Sequence, residues 1–366
     1  MEGIKIPLWQ LLSLSSLFAY VVAASLLGLT RRIRSVAQPW VTRRVLSDTS
    51  RILWIQKWHH GYLDNFFSLL SCVVSVPFYT GFIPLLFWSG HSKLGRQTTL
   101  LIAFCDYIGN SIKDAVSAPR PGCPPVRRVT ATEDEKENAM EYGLPSSHAL
   151  NTVCLSGFID VVVGITIGLV ILASWTVFCE HIDDFVINGQ NVTYFWAGLS
   201  LLLCFAYPTP EVPTPSFEYH TAFNGVAFGI VSGIQQTYAL FHSDDVPRIF
   251  SPELSLPLFL GRILVGIPTI LVVKFCSKAL AKWLLPIICN TLGVPIRSSG
   301  YVPVLKESDS SDNKPENKQN GFLHRVVSLL PHKNYDVDTG IRFLQYAGLA
   351  WSAVDLVPHL FSLLSL

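Results

Sequence analysis

Long apolar runs separated by short polar stretches dominate the chain, at about 7–29, 65–89, 98–115, 148–178, 193–208, 220–241, 257–276 and 342–365. Crossing a hydrocarbon layer of ~30 Å takes about 20 apolar residues in a helix. The pattern therefore predicts an all-α, polytopic membrane helix bundle of about eight spans. A further run, 281–293, is shorter and carries Pro286, which predicts an interfacial or re-entrant helix rather than another crossing.

The first run is too long for the ~7–15-residue core of a signal peptide, and its basic residues follow it. It reads as a retained span. Arg31, Arg32, Arg34, Arg43 and Arg44 come next, with Trp40, Trp54 and Trp58, a mixture that belongs at a membrane surface. Between Lys306 and Gly321 the chain reads KESDSSDNKPENKQNG, which has too little apolar surface to offset the entropy of ordering it. The organisation that follows is an N-terminal span with a basic interfacial segment over 1–64, a core over 65–178, further membrane helices over 179–304, a flexible polar loop over 305–341 and a last span over 342–366. Gly164 and Gly168, and Gly225, Gly229 and Gly233, recur every four residues, so each set forms one helical stripe where a neighbouring backbone can approach closely.

Composition agrees with a membrane protein. Half of the residues are hydrophobic, 14% are charged, and the mean hydropathy is +0.39. The formal net charge of +1 gives no bulk field toward nucleic acid. Seven of the eight cysteines (72, 105, 154, 179, 204, 276 and 289) lie in or beside apolar runs without paired C-x2-C spacing, which predicts buried small hydrophobes rather than metal ligands or disulfides.

Two short motifs carry candidate chemistry. The first is KDAVSAPRP, with Lys113 at the end of an apolar run and Arg120-Pro121 after six intervening residues. Cations at a membrane exit commonly snorkel to headgroups. Together they can also clamp a phosphate, the Lys as a point charge and the Arg as a planar fork. The second is the turn Gly143-Leu144-Pro145-Ser146-Ser147-His148, which opens the next apolar run. Serine hydroxyls and free N–H groups at a helix start make an anion site, and a His in the first turn can protonate a leaving oxygen. The plainer reading is a helix cap with an incidental histidine.

A K-x6-R-P motif followed by a P-S-S-H helix start, both flanked by spans, resembles the type 2 phosphatidic acid phosphatase (PAP2) superfamily of integral-membrane lipid phosphatases. MEYGLPSSHA is similar to the branch that dephosphorylates sphingosine 1-phosphate and plant long-chain-base phosphates, as are PTPSFEYHTAFNGVAFG and GRILVGIPTILVVKFCSKALAKW. The resemblance implies that Lys113, Arg120, Ser146 and Ser147 hold the phosphate and that His148 is the general acid for the lipid alkoxide. It implies no metal and no cofactor. The partner it implies is a phosphorylated sphingoid base or related lipid phosphate, reached from among the membrane lipids of the endoplasmic reticulum.

The third motif of that family, S-R-x5-H-x3-D, supplies a phosphate-binding Arg, a nucleophilic His that becomes a phosphohistidine, and an Asp that orients the His. IDVVVG at 159–164 resembles the helix starting at that Asp, which makes Asp160 its counterpart. Counting back, the His slot holds Ser156, the Arg slot Leu150 and the Ser slot Ala149. Eleven residues separate His148 from Asp160, where the family has two helices. An internal deletion of an even number of crossings accounts for this and leaves the downstream topology unchanged. The fused run 148–178 would be ~45 Å long at 1.5 Å per residue, predicting tilt or protruding first turns.

The other histidines, His59, His60, His181 and His220, read as ordinary interface residues. Two function classes follow from the sequence: a sphingoid-base-phosphate phosphatase impaired by loss of its nucleophile, or a catalytically inactive membrane protein that binds a phosphate lipid. The positive-inside rule places the basic 31–57 segment, and with it the phosphate site, in the cytosol; the resemblance implies the lumenal side.

Overall fold

The computed structural model describes residues 6–58, 60–72, 75–120, 125–126, 142–143, 158–210, 214–292, 294, 296–298, 301 and 335–366. It is an all-α membrane bundle, with two two-residue strands, β1 (Ile296–Arg297) and β2 (Tyr335–Asp336), paired in parallel. Four helical stretches, Leu8–Leu26, Val162–Asn188, Leu256–Thr291 and Val337–Leu364, are long and apolar enough to cross a membrane.

Helix α1 (Leu8–Leu26) turns through Gly28, whose φ of +58° suits glycine, into the basic helix α2 (Leu29–Gln56). The run 65–89 forms two helices, α3 (Gly61–Cys72) and α4 (Val76–Trp88). The break falls before Ser75, whose hydroxyl accepts from the Phe78 amide at 3.3 Å with Pro77 in the first turn, a strong start signal. Next come α5 (Ser92–Val116), α6 (Phe158–Asn188), α7 (Val192–Ala206) and α8 (Pro215–Thr237), which continues into a π-turn at Tyr238–His242.

Helix α9 (Leu256–Thr291) passes through Pro268 and Pro286 without a break, so 281–291 is not a separate interfacial helix. Its last turns stay helical because they bury a face: Ala281 and Leu285 pack with Val337 and Ile341. The chain closes with α10 (Val337–Val354) and α11 (Leu356–Leu364). Helix α10 begins five residues before the sequence places it, since the Asp336 carboxylate caps the Asp338 amide at 3.0 Å.

The core surrounds α8. Its glycine stripe is a contact surface: a Cβ at Gly225 would meet the Phe343 carbonyl oxygen at 2.5 Å, and one at Gly229 would strike the backbone of Ala347 and Trp351. Gly233 meets Val354 in the same way. Helices α8 and α10 therefore run side by side in the same direction at glycine-limited separation. On the α6 stripe Gly164 is buried and Gly168 half-buried. Among the described cysteines only Cys105 is fully buried; Cys72 and Cys276 are exposed on the outside of the bundle, where an apolar thiol can face lipid instead of a core.

Helix α6 extends ten residues past the predicted end at 178, through Glu180, His181, Asp183 and Asp184. Polar residues there are held by α5. Asp183 forms a two-pronged pair with Arg96, Nε to Oδ1 at 2.7 Å and Nη2 to Oδ2 at 2.8 Å, with both side chains buried. Lys93 reaches Glu180 at 2.8 Å on the surface. The first ten residues of the fused run, 148–157, lie outside the described residues, as does most of the predicted 305–341 loop.

Removing one partner of a buried pair leaves an uncompensated charge, at a cost of about 3–5 kcal/mol, whereas replacing both by apolar groups is often neutral or better. Asp183→Ala should therefore lower the midpoint of thermal unfolding in detergent markedly, and Arg96→Met with Asp183→Leu should restore most of it. Gly229→Leu should also destabilise, by roughly 1–3 kcal/mol or more, because backbone atoms of α10 block its side chain.

Candidate functional site

Helix α5 carries its polar residues on one buried stripe: Asp106, Asn110, Lys113 and Asp114 are at most 7% exposed, and Lys113 and Asp114 are fully enclosed. Ionisable residues within a membrane helix face the bundle interior because lipid cannot solvate them. The stripe ends where α5 ends, at Ser117, which takes the left-handed conformation with φ +52° and donates its amide to the Lys113 carbonyl at 2.8 Å.

Asp114 holds this end together. Its carboxylate accepts from the Tyr207 hydroxyl at 2.6 Å, just past α7, and from the Thr214 hydroxyl at 3.1 Å, just before α8. Its carbonyl accepts from Arg34 of α2 at 2.9 Å, and Arg34 also donates to Thr209 at 2.6 Å. Gln38 of α2 donates to the Ser117 carbonyl at 2.9 Å. The last carbonyls of α5, which have no partner within the helix, are thus met by donors from the basic helix. The result is that α2, α5, α7 and α8 all converge on the residue beside Lys113.

The chain after α5 folds back on itself. The Gly143 amide donates to the Ala118 carbonyl at 2.9 Å, and Arg120 Nε donates to the Tyr142 carbonyl at 3.3 Å. The segment that leads into Ser146-Ser147-His148 is therefore tied to the Lys113–Arg120 segment. Ser146, Ser147 and His148 lie outside the described residues. Asp160 stands in the first turn of α6, but its side chain lies outside them too. Val163, three residues on, packs against the Val116 and Ala118 cluster, so α6 begins beside the end of α5.

His220 differs from its reading as an interface residue. It is 1% exposed, in the second turn of α8, with its ring stacked on Tyr207 at 3.5 Å between centroids and 8° between planes. Tyr107 and Phe217 close its edges. Aromatic packing from three elements removes it from any interface. His60 is exposed beside Tyr62, His181 is exposed on α6 at the far end from Lys113, and His59 lies outside the described residues.

Asp114, Tyr207, Thr214 and His220 were not singled out by motif. The signal for Asp114 was its charge at the end of an apolar run; nothing local marks Tyr207 or Thr214 as its partners, since they are about 100 residues away. Among the described residues no group of three or more His, Cys, Asp or Glu side chains could hold a metal ion. Lys113, Arg120 and Arg34 are cations at this end of the bundle, with Asp114 among them.

No family model and no solved structure matches the chain. Curated proteins do. Over 402 aligned positions it is 56% identical to lipid phosphate phosphatase delta of Arabidopsis thaliana, covering 98% of this chain and 97% of that protein. It is 30% identical over 125 residues to a dihydrosphingosine 1-phosphate phosphatase of Saccharomyces cerevisiae, covering 34% of this chain and 30% of that one. With sphingosine-1-phosphate phosphatase 1 of Rattus norvegicus the identity is 23%, over 79% of this chain and 69% of that one. The Arabidopsis alignment spans 402 positions and this chain has 366 residues, so at least 36 positions hold no residue of this chain. Near-complete coverage at that identity places the chain in the family of integral-membrane lipid phosphate phosphatases to which the Arabidopsis protein belongs.

Proposed function

We propose that the chain is a phosphatase of phosphorylated sphingoid bases in the endoplasmic-reticulum membrane, in a form that has lost its nucleophile. The observation that carries this reading is the fold-back of Tyr142 and Gly143 onto Arg120 and Ala118. Ser146 follows Gly143 by three residues in the sequence, and Gly143 is tied to the segment that carries Arg120. In this reading Lys113 and Arg120 hold the phosphate and Ser146 and Ser147 add donors. His148 protonates the departing alkoxide, and Asp160 is what remains of the third motif. The names of the relatives support a sphingoid-base phosphate as substrate.

Loss of the nucleophile is supported by the unmatched alignment positions and by Ser156, Leu150 and Ala149 in the slots for His, Arg and Ser. An unactivated Ser156 hydroxyl is a far weaker nucleophile than an imidazole, and the apolar side chains of Leu150 and Ala149 cannot pair with phosphate oxygens. The same residues favour the second reading, a phosphate-lipid-binding protein without turnover, because the cradle of Lys113 and Arg120 does not depend on them.

Three outcomes are expected. Turnover of a phosphorylated sphingoid base by this chain should be far below that of the chain with the missing segment restored; equal rates would defeat the claim of a lost nucleophile. Saturable binding of that lipid to the chain as it stands should weaken by about tenfold or more in Arg120→Ala, a hydrogen-bonded charge contact of ~1.5–3 kcal/mol. Tyr207→Phe, which takes a donor from buried Asp114, should cost about 1–3 kcal/mol of stability by thermal unfolding. It should weaken lipid binding by shifting the end of α5 rather than by removing a phosphate contact.

A further inference from the structure

A second cluster of cations lies on the other flank of α8. Lys274, Lys278 and Lys282 recur every four residues on α9 and so share one face. They lie in the C-terminal half of that helix, and their long stems can carry the amines toward headgroups. Each amine sits over a tyrosine: Lys274 is 4.7 Å from the Tyr346 ring centre, and Lys278 and Lys282 are 4.1 and 5.3 Å from that of Tyr301. Arg342 of α10 lies over the same Tyr301 ring and donates to its hydroxyl at 3.0 Å.

The acids nearby are engaged elsewhere. Glu218 pairs with Arg342 at 2.8 Å, and Asp338 accepts from Ser298 and from the Tyr301 amide. Among the described residues no carboxylate pairs with any of the three lysines. Like charges one turn apart repel, so among the described residues the cluster holds positive charge without a paired acid.

Tyr346 belongs to a second feature. It forms one wall of a small apolar pocket between α4, α8 and α10, with Tyr79, Ile83, Val226, Ile230 and Ala350 among the other walls. The pocket is partly open to the outside of the bundle. Tyr346 thus joins the cationic patch to an apolar slot. Glu218 and Val226 on α8 face this side, whereas His220 and Asn224 face Tyr207 and Ser200 on the side of Asp114. The two sites share a membrane face and are separated by α8.

We infer that Lys274, Lys278 and Lys282, with the pocket under Tyr346, form an accessory site for an anionic bilayer lipid, the lysines taking the headgroup and the pocket one alkyl chain. A neutral lipid would leave the lysines unpaired, and a free anion would leave the pocket unused. The headgroup need not be a phosphate monoester, which separates this site from the one that includes Arg120.

The test uses the full chain in nanodiscs of phosphatidylcholine doped with phosphatidylserine, which has no phosphate monoester to be hydrolysed. Lipids retained on the protein after release are measured by native mass spectrometry. Phosphatidylserine should be enriched over phosphatidylcholine. The triple variant Lys274→Gln, Lys278→Gln, Lys282→Gln should lose about tenfold or more of that enrichment, at about fivefold per lysine near the surface; the triple Lys→Arg variant should keep it. Thr80→Trp, which fills the pocket from α4, should lower retention with the lysines intact. Glycerophosphoserine, the headgroup without tails, should compete poorly. Equal retention of the two lipids by the unmodified chain, undiminished phosphatidylserine on the Gln variant, or full competition by glycerophosphoserine would overturn the inference. Thermal unfolding in neutral detergent checks that the variants are folded, and the Arg and Trp variants decide the matter should the Gln variant not be.

Discussion

A buried carboxylate, Asp114, fixes the end of the bundle where the candidate chemistry resides. In a hydrocarbon layer a charge of this kind persists only with hydrogen-bond donors around it. Tyr207 and Thr214 provide them across the α7–α8 connection, and Arg34 and Gln38 secure the neighbouring carbonyls from α2. These contacts set where α5 stops, and the stop sets where Lys113 stands. From there the left-handed turn at Ser117 sends the chain outward, and the Gly143 and Arg120 hydrogen bonds bring it back. The placement of Lys113, and of the chain leading to Arg120, is a consequence of how one acid is satisfied.

The far end of the bundle is held by the same logic with a different partner. Arg96 and Asp183 join α5 to α6 there, with Tyr238 of the π-turn against the guanidinium at 5.4 Å. His242 donates or accepts at Ser92 and bonds the Val354 carbonyl, tying α8 to α5 and α10. Polar contacts thus fasten α5 at both ends, and glycine-limited packing of α8 on α10 fills the middle. Helix α6 is the helix that follows the shortened segment, yet it is clamped at its far end by Asp183 and packed at its near end through Val163. A loss of chain before α6 is therefore compatible with an ordered bundle after it, as expected when an even number of crossings is removed.

Much of this was legible in the sequence because membranes constrain it so strongly. The apolar runs gave the helices, and the four-residue glycine stripe on α8 gave its contact face. The Lys113–Arg120 and Ser-Ser-His motifs gave the candidate residues, of which Lys113 and Arg120 are among those described. What was not legible depended on long-range partners. Residues 281–291 look interfacial by hydropathy and Pro286, but Val337 and Ile341 bury that face and the helix continues. The α6 extension looks like a polar exit, but Arg96 and Lys93 await its acids. His220 looks like an interface residue beside Glu218, although the two point to opposite flanks of α8, one to Tyr207 and one to Arg342.

That division of α8 into two flanks bears on how the family's chemistry could survive in part. On one flank an acid organises cations for an anion; on the other, cations without acids meet an apolar slot. A phosphatase needs both a binding cradle and an attacking group, and the two are encoded by different stretches of chain. In the proposed reading the stretch that lacks the nucleophile is 149–157, whereas the hydrogen bonds of Asp114 to Tyr207 and Thr214, of Arg34 to Asp114 and Thr209, and of Arg120 to Tyr142 join residues elsewhere in the chain. The proposed binding role and the proposed turnover therefore rest on different stretches of this chain, and the two can be tested apart.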